Sequence, residues 1–218
     1  SDKVQVEGFV VREVQDFYSH RNAVKSVSSF LKEFDIPGIS GIDARMLTKK
    51  IREHGVINGC LVTSKDKIDV NSVLERAKKL SDYSTFDLLP KVSVSKPEFI
   101  DAKGNKTIAV IDTGVKLSII RNFLKRKVNV WRMPYNTKPS EIKELKVNGL
   151  FVANGPGDPE RAVDAINIVK EFQSELPITG ICFGNQIVGL ALGGKTYKLK
   201  FGHRGTNQPV KNLSENKV

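Results

Sequence analysis

The stretch "TGICFGNQIVGLALGG", residues 179–194, places Cys182 with Gly180 two residues before it and Gly184 two after. Glycines at that spacing, between a strand-like and a helix-like run, describe a nucleophile elbow built around a thiol. The small residues let the backbone turn sharply and hold the side chain clear of a sheet. The attacking species is the thiolate, and the N-terminal end of the following helix favours an anion beside it. Attack on a carbonyl carbon would generate an oxyanion, and the backbone N–H of Phe183 is directed to where that charge develops. A second donor is needed. The segment "NGPGDP", residues 154–159, offers it, because Gly155 and Gly157 allow a substrate to approach the backbone closely. Spacing alone leaves open a packed, structural Cys182, since lone cysteines are among the most buried residues.

Such chemistry requires both loops at one edge of a rigid sheet. "TIAVID" from 107 reads as a strand, "VKLSIIRNFLKRK" as a helix, "VNVWRM" as a strand and "SEIKELK" as a short helix. "GLFVANG" and "PITGIC" read as further strands around the helix "ERAVDAINIVKEF", in which Ala162, Ile166, Val169 and Phe172 share a face. Strands alternating with helices imply right-handed crossovers and a parallel-rich sheet flanked by helices, with ligands bound beyond the carboxyl ends of the strands. Both loops fall at such ends.

Residues 90–106, "PKVSVSKPEFIDAKGNK", carry two prolines and a Gly-Asn pair without periodicity and read as a linker. Residues 1–89 before it form part of a smaller α/β domain; residues 107–218 form the larger one. In the first, "VQVEGFVV" and "VINGCLV" are strand-like, and helices are expected at 26–34 and 43–54. Asp43 caps the second helix, Ala44, Leu47 and Ile51 share a face, and Gly55 ends it. Cys60, among apolar neighbours, is expected to be a buried structural thiol.

Composition narrows the function classes. The formal charge of +11 invites nucleic acid, but the lysines are dispersed and no aromatic residues interleave a basic cluster, so a solvated basic surface is expected, with no nucleic-acid partner. No apolar run approaches a membrane span, and the first residues lack a signal-peptide pattern, so no membrane association and a cytoplasmic location are expected. Two distant cysteines and three scattered histidines offer neither a disulfide framework nor metal-ligand spacing. "GLALGGKT", residues 189–196, matches a phosphate-loop pattern, but that loop needs a strand before it and a helix after it, whereas Gly189 falls inside a helix and "YKLKFG" alternates like a strand.

"NGPGDP" with "GICFGNQ" resembles the class I, triad-type glutamine amidotransferases, and "GISGIDARMLTKKIREHGVINGCLV" resembles a signature of carbamoyl phosphate synthetase small subunits. "KFGHRGTNQPVKN" also fits that family, so the resemblance covers essentially the whole chain. It implies that Cys182 attacks the side-chain carboxamide of L-glutamine, releasing ammonia and leaving a glutamyl thioester that water hydrolyses. Phe183 and Gly155 would donate the oxyanion N–H groups, and Gly157 and Gln186 would help to bind glutamine. Ammonia would pass to a large subunit that uses ATP and bicarbonate to make carbamoyl phosphate for arginine and pyrimidine synthesis; this chain would hold no cofactor. The alternatives are the glutaminase component of another synthase, such as one making anthranilate, which lacks the "GIDARMLT" domain, and a non-catalytic module that keeps the elbow and binds a partner.

Asn185 stands where the commoner elbow of the family has histidine, a position that is not the family's base. The resemblance implies a His-x-Glu pair, base and carboxylate, well beyond "GHRGTNQPV"; the chain is therefore expected to be truncated at both ends, with its base outside these 218 residues. His203 would be structural or at the substrate's edge, and His20 and His54 belong to the other domain. General acid–base help is worth about 10²- to 10⁴-fold in rate. The 218 residues alone are therefore expected to release negligible ammonia from glutamine, while a longer chain carrying His-x-Glu is active. Robust release by the short chain would show the base to be misassigned.

Overall fold

A computed structural model describes residues 3–81, 85–200 and 209–218. The chain divides into two compact units, residues 1–80 with 198–218, and residues 81–197.

In the first unit, β1 (Phe9–Val10) pairs in parallel with β2 (Gly38–Ile39). Helix α1 (Val27–Glu33) starts where the Ser26 side chain accepts from the Ser29 amide. Helix α2 (Ala44–His54) starts where Asp43 accepts from the Met46 amide at 2.9 Å, and it ends at Gly55, whose φ is 92°. Ala44, Leu47 and Ile51 are half-buried while the rest of α2 is exposed, as their helical spacing implies. Helix α3 (Val70–Lys78) is capped by Asp69. Two expectations are corrected. The strand foreseen in "VQVEGFVV" shrinks to β1, and "VINGCLV" forms no strand; among the described residues it has no ladder partner to cover it, and Cys60 is exposed rather than buried.

The second unit is a five-stranded sheet in the order β3-β5-β4-β6-β7. Its strands are β3 (Glu98–Ile100), β4 (Lys106–Asp112), β5 (Val128–Pro134), β6 (Leu150–Val152) and β7 (Ile178–Gly180), with β3 antiparallel and the others parallel. The segment read as a linker thus supplies the edge strand β3, preceded by α4 (Leu89–Val92). Short apolar spacing hid it, because three residues next to prolines carry no legible period. "YKLKFG" is also corrected: residues 197–199 are irregular, and 201–202 lie outside the described residues.

Period-two burial explains the layers. Ala109, Ile111, Leu150 and Val152 pack against α6 (Pro139–Glu144), α7 (Val163–Phe172) and α8 (Phe183–Ala191). Val110, Val130 and Phe151 face the other way, against α5 (Leu117–Lys125). The result is an α/β fold with a parallel-rich sheet between helices. No helix among the described residues is long and apolar enough to cross a membrane.

The chain moves from β4 outward to β5, then returns to the other side of β4 for β6 and β7. The carboxyl ends of β4 and β6 therefore lie where the strand order reverses, the place at which open α/β sheets bind ligands. There Asp112, with no exposed surface, closes the end of β4. One carboxylate oxygen accepts the Gly114 and Val115 amides at 2.9 and 2.8 Å, and the other accepts the Val94 amide and the Arg132 guanidinium. Arg132 also reaches Glu98, which is half exposed. Removing one partner of a buried pair costs about 3–5 kcal/mol, against about 1 kcal/mol or less for an exposed one. Asp112→Ala should therefore lower unfolding free energy by several-fold more than Glu98→Ala in chemical denaturation; equal losses would mean that the buried carboxylate does not organise this strand end.

Candidate active site

Strand β7 runs beside β6, with Gly180 opposite Val152, and the Ile181 amide carries the pairing one residue further by donating to the Val152 carbonyl at 3.2 Å. The chain then turns through Cys182, at φ 55° and ψ −112°, into α8. Positive φ at a non-glycine residue is uncommon, and this ψ lies outside the left-handed helical well. Two close approaches enforce the turn. A Cβ on Gly184 would lie 2.1 Å from the Val152 carbonyl oxygen, and one on Gly180 would lie 2.4 Å from the Gly184 carbonyl carbon. Hydrogen bonds from the Gly184 amide to the Ile181 carbonyl and from the Gln186 amide to the Cys182 carbonyl complete the bend.

Burial on the far side of α8 sustains it. Phe183, Ile187 and Ala191 enter the core at 2%, 0% and 7% exposure. Full burial of each large apolar side chain contributes roughly 1.5–3 kcal/mol, so Phe183 and Ile187 together outweigh about 1–3 kcal/mol of local strain. The same rotation leaves Cys182 exposed, so it is not a core cysteine.

The second loop leaves the adjacent strand. Gly155 packs against the loop after β4: a Cβ there would meet the Thr113 carbonyl oxygen at 2.2 Å and the Phe183 ring at 3.1 Å. The Phe183 ring thus joins the two loops. The amides of Gly155 and Phe183 donate to no acceptor among the described residues. Gly157, at φ 93°, is exposed with open space around it, and Gln186 is exposed on the first turn of α8. Together the elbow and glycine loop present an exposed thiol and two amides without an acceptor among the described residues at neighbouring strand ends, groups of the kind that acyl transfer through an oxyanion requires.

His20 accepts from the Asn22 amide, His54 bonds the Lys50 carbonyl, both within the first unit, and His203 lies outside the described residues. The Tyr135 phenol, after β5, titrates above its ordinary range, chiefly through burial and then through Asp87 and Asp164. Lys143 is likewise raised, first by its bond to Glu171. No three His, Cys, Asp or Glu residues gather as metal ligands among the described residues. In the phosphate-loop look-alike Gly189 lies inside α8 and irregular chain follows, so the strand and helix that such a loop needs are absent there. Sequence reasoning passed over Asp112, Thr113 and Asn154. Their signal is faint: polar residues placed directly after apolar strands.

A family model for "Glutamine amidotransferase class-I" matches residues 109–218, and one for "Carbamoyl-phosphate synthase small chain, CPSase domain" matches residues 1–61. The chain belongs to the class-I glutamine amidotransferase family. Among its curated relatives are carbamoyl phosphate synthase small chains from Methanocaldococcus jannaschii, 48% identical over all of this chain and 60% of the relative, and from Methanopyrus kandleri, 47% identical over all of this chain and 61% of the relative. The small chain from Archaeoglobus fulgidus is 41% identical over all of this chain and 60% of its own length. The chain spans about 60% of the length of these relatives.

The strain at Cys182 can be measured. Glycine adopts its φ freely whereas alanine keeps the strain, so Cys182→Gly should be more stable than Cys182→Ala by about 1 kcal/mol in urea denaturation. Alanine proving equal or better would remove the strained elbow.

Proposed function

We propose that this chain carries the glutamine-hydrolysing part of a carbamoyl phosphate synthase small chain. The observation that carries the reading is the exposed Cys182 thiol on a strained elbow, followed by Phe183, whose ring lies against Gly155, with neither the Phe183 nor the Gly155 amide bonded among the described residues. Cys182 Sγ attacks the carboxamide carbon of L-glutamine, and the displaced electron pair collects on the carbonyl oxygen. The Phe183 and Gly155 N–H groups stabilise that oxyanion. Collapse breaks the C–N bond, ammonia leaves with a proton from a general acid, and water then cleaves the glutamyl thioester to glutamate. Gly157 offers close backbone approach to glutamine, and Gln186, exposed beside the elbow, helps to hold it. The general acid–base is a residue other than His20 or His54.

The match at residues 1–61 favours this assignment over the anthranilate-type glutaminase, which the "GIDARMLT" segment had already set apart. Residues 1–89 then act as part of the small chain's own domain and residues 107–218 as part of the amidotransferase domain. Ammonia goes to a large chain that supplies the ATP and bicarbonate chemistry for arginine and pyrimidine synthesis. Two unpaired thiols agree with a cytoplasmic setting.

In the complete small chain with its large chain, Cys182→Ser should reduce ammonia release from glutamine by at least about 10³-fold, since a hydroxyl without thiolate character is a poor nucleophile here. Acid quenching of the unsubstituted protein should trap glutamyl label on Cys182. Unsubstituted protein that releases no ammonia and stays free of label would leave the module a binding element that keeps the elbow, and an active serine variant would remove Cys182 as the nucleophile.

A further inference from the structure

Resting on that reading, we propose that Asn154 is a positioning residue for the oxyanion: its carboxamide clamps the glycine loop to the loop after β4 and so fixes the Gly155 amide. Asn154 Nδ2 donates to the Gly114 carbonyl at 3.0 Å, and its Oδ1 accepts from the Lys116 amide at 3.0 Å. Backbone pairing of β4 with β6 ends at Ile111 and Val152, followed by one bond from the Ala153 amide to the Ile111 carbonyl. The Asn154 side chain continues that pairing into the two loops. From the facing loop the buried Thr113 hydroxyl donates to the Ala153 carbonyl at 2.8 Å and lies 3.2 Å from the Asn154 carbonyl. The receiving loop is immobilised in turn by the Asp112 carboxylate on the Gly114 and Val115 amides.

The clamp has work that steric contact leaves undone. An oxyanion donor contributes by being fixed before the charge develops, and a segment containing Gly155 and Gly157 has the widest backbone freedom. Gly155 touches the Thr113 carbonyl and the Phe183 ring on one side, while Gly157 beyond it has open space. Without the Asn154 side-chain bonds the segment keeps only the Thr113 hydroxyl on the Ala153 and Asn154 carbonyls, and the Gly155 amide is held less firmly toward the elbow. A displacement of about 1 Å in a reacting group costs on the order of 10²-fold in rate. The clamp also needs one donor and one acceptor in a single planar group. Aspartate keeps the acceptor for Lys116 but sets a carboxylate oxygen against the Gly114 carbonyl, and alanine removes both bonds.

The test uses the complete small chain with its large chain, comparing the unsubstituted protein with Cys182→Ser, Asn154→Ala and Asn154→Asp. Readouts are kcat and KM for ammonia release from glutamine, the rate of Cys182 alkylation by iodoacetamide, and thermal melting. Both Asn154 variants should lose about 10- to 100-fold in kcat, with KM within about threefold and alkylation within about twofold, because nucleophile and binding surface persist while a donor is misplaced. Unchanged kcat, a loss confined to KM, or alkylation falling in step with kcat would overturn the positioning role. If Asn154→Ala does not fold, the isosteric Asn154→Asp decides; loss of cooperative melting in both assigns Asn154 to stability alone and also overturns it. No ammonia release by the unsubstituted protein would sink the glutaminase reading itself, and activity that survives Cys182→Ser would sink Cys182 as its nucleophile, whereas a dead serine variant beside unimpaired Asn154 variants would sink the clamp alone.

Discussion

The arrangement depends on a backbone crossing that tolerates no side chain. Gly184 sits on the Val152 and Ala153 carbonyls, and Gly180 sits on the Gly184 backbone, so α8 starts directly over the ends of β6 and β7. With the helix that close, the chain between them has two residues in which to reverse, and Cys182 takes the positive φ. A methyl group at position 180 or 184 would push the helix from the sheet by more than the core allows, because interiors are close-packed and transmit such displacements. Phe183 and Ile187 hold the helix down from the other side. Exposure of the thiol and burial of the residue after it are two results of one turn.

The same economy extends to the neighbouring loop. Strand order places the loops after β4 and β6 side by side, and Asp112, Thr113 and Asn154 hold them with hydrogen bonds. A buried carboxylate is costly unless its lone pairs are occupied. Asp112 meets that condition with three amides and Arg132, so its charge sets the shape of the loop against which Gly155 rests. The polar groups at the strand ends have become a scaffold for backbone amides.

The two units differ in how they are held. Every fully buried apolar side chain among the described residues lies between Leu89 and Ala191, in the unit with the sheet. The first unit relies on capped helices, a two-stranded parallel pair and half-buried faces such as that of α2. Apolar strand-like sequence without a ladder partner stays exposed, which is the physical content of the correction at Cys60. Ladder pairing, more than local hydrophobicity, decides whether such a segment is covered.

The sequence by itself determined what depends on local chemistry. The spacing of Gly180, Cys182 and Gly184 specified a bend that few other residues could follow, the glycines of "NGPGDP" marked a second flexible loop, and apolar periods located β4 to β7 and α5 to α8. Asp43 and Gly55 bounded α2 because caps act within a single turn. Tertiary structure decided everything that rests on partners distant in the chain. β3 became a strand only because Arg132, Trp131 and Val130 were there to pair with it, and "VINGCLV" has no such neighbour among the described residues. The bonds of Asn154 span 38 and 40 residues of sequence, so nothing in its immediate surroundings could announce them. Hydrogen bonding between loops is set by strand order, and strand order is a property of the folded sheet, absent from any one segment.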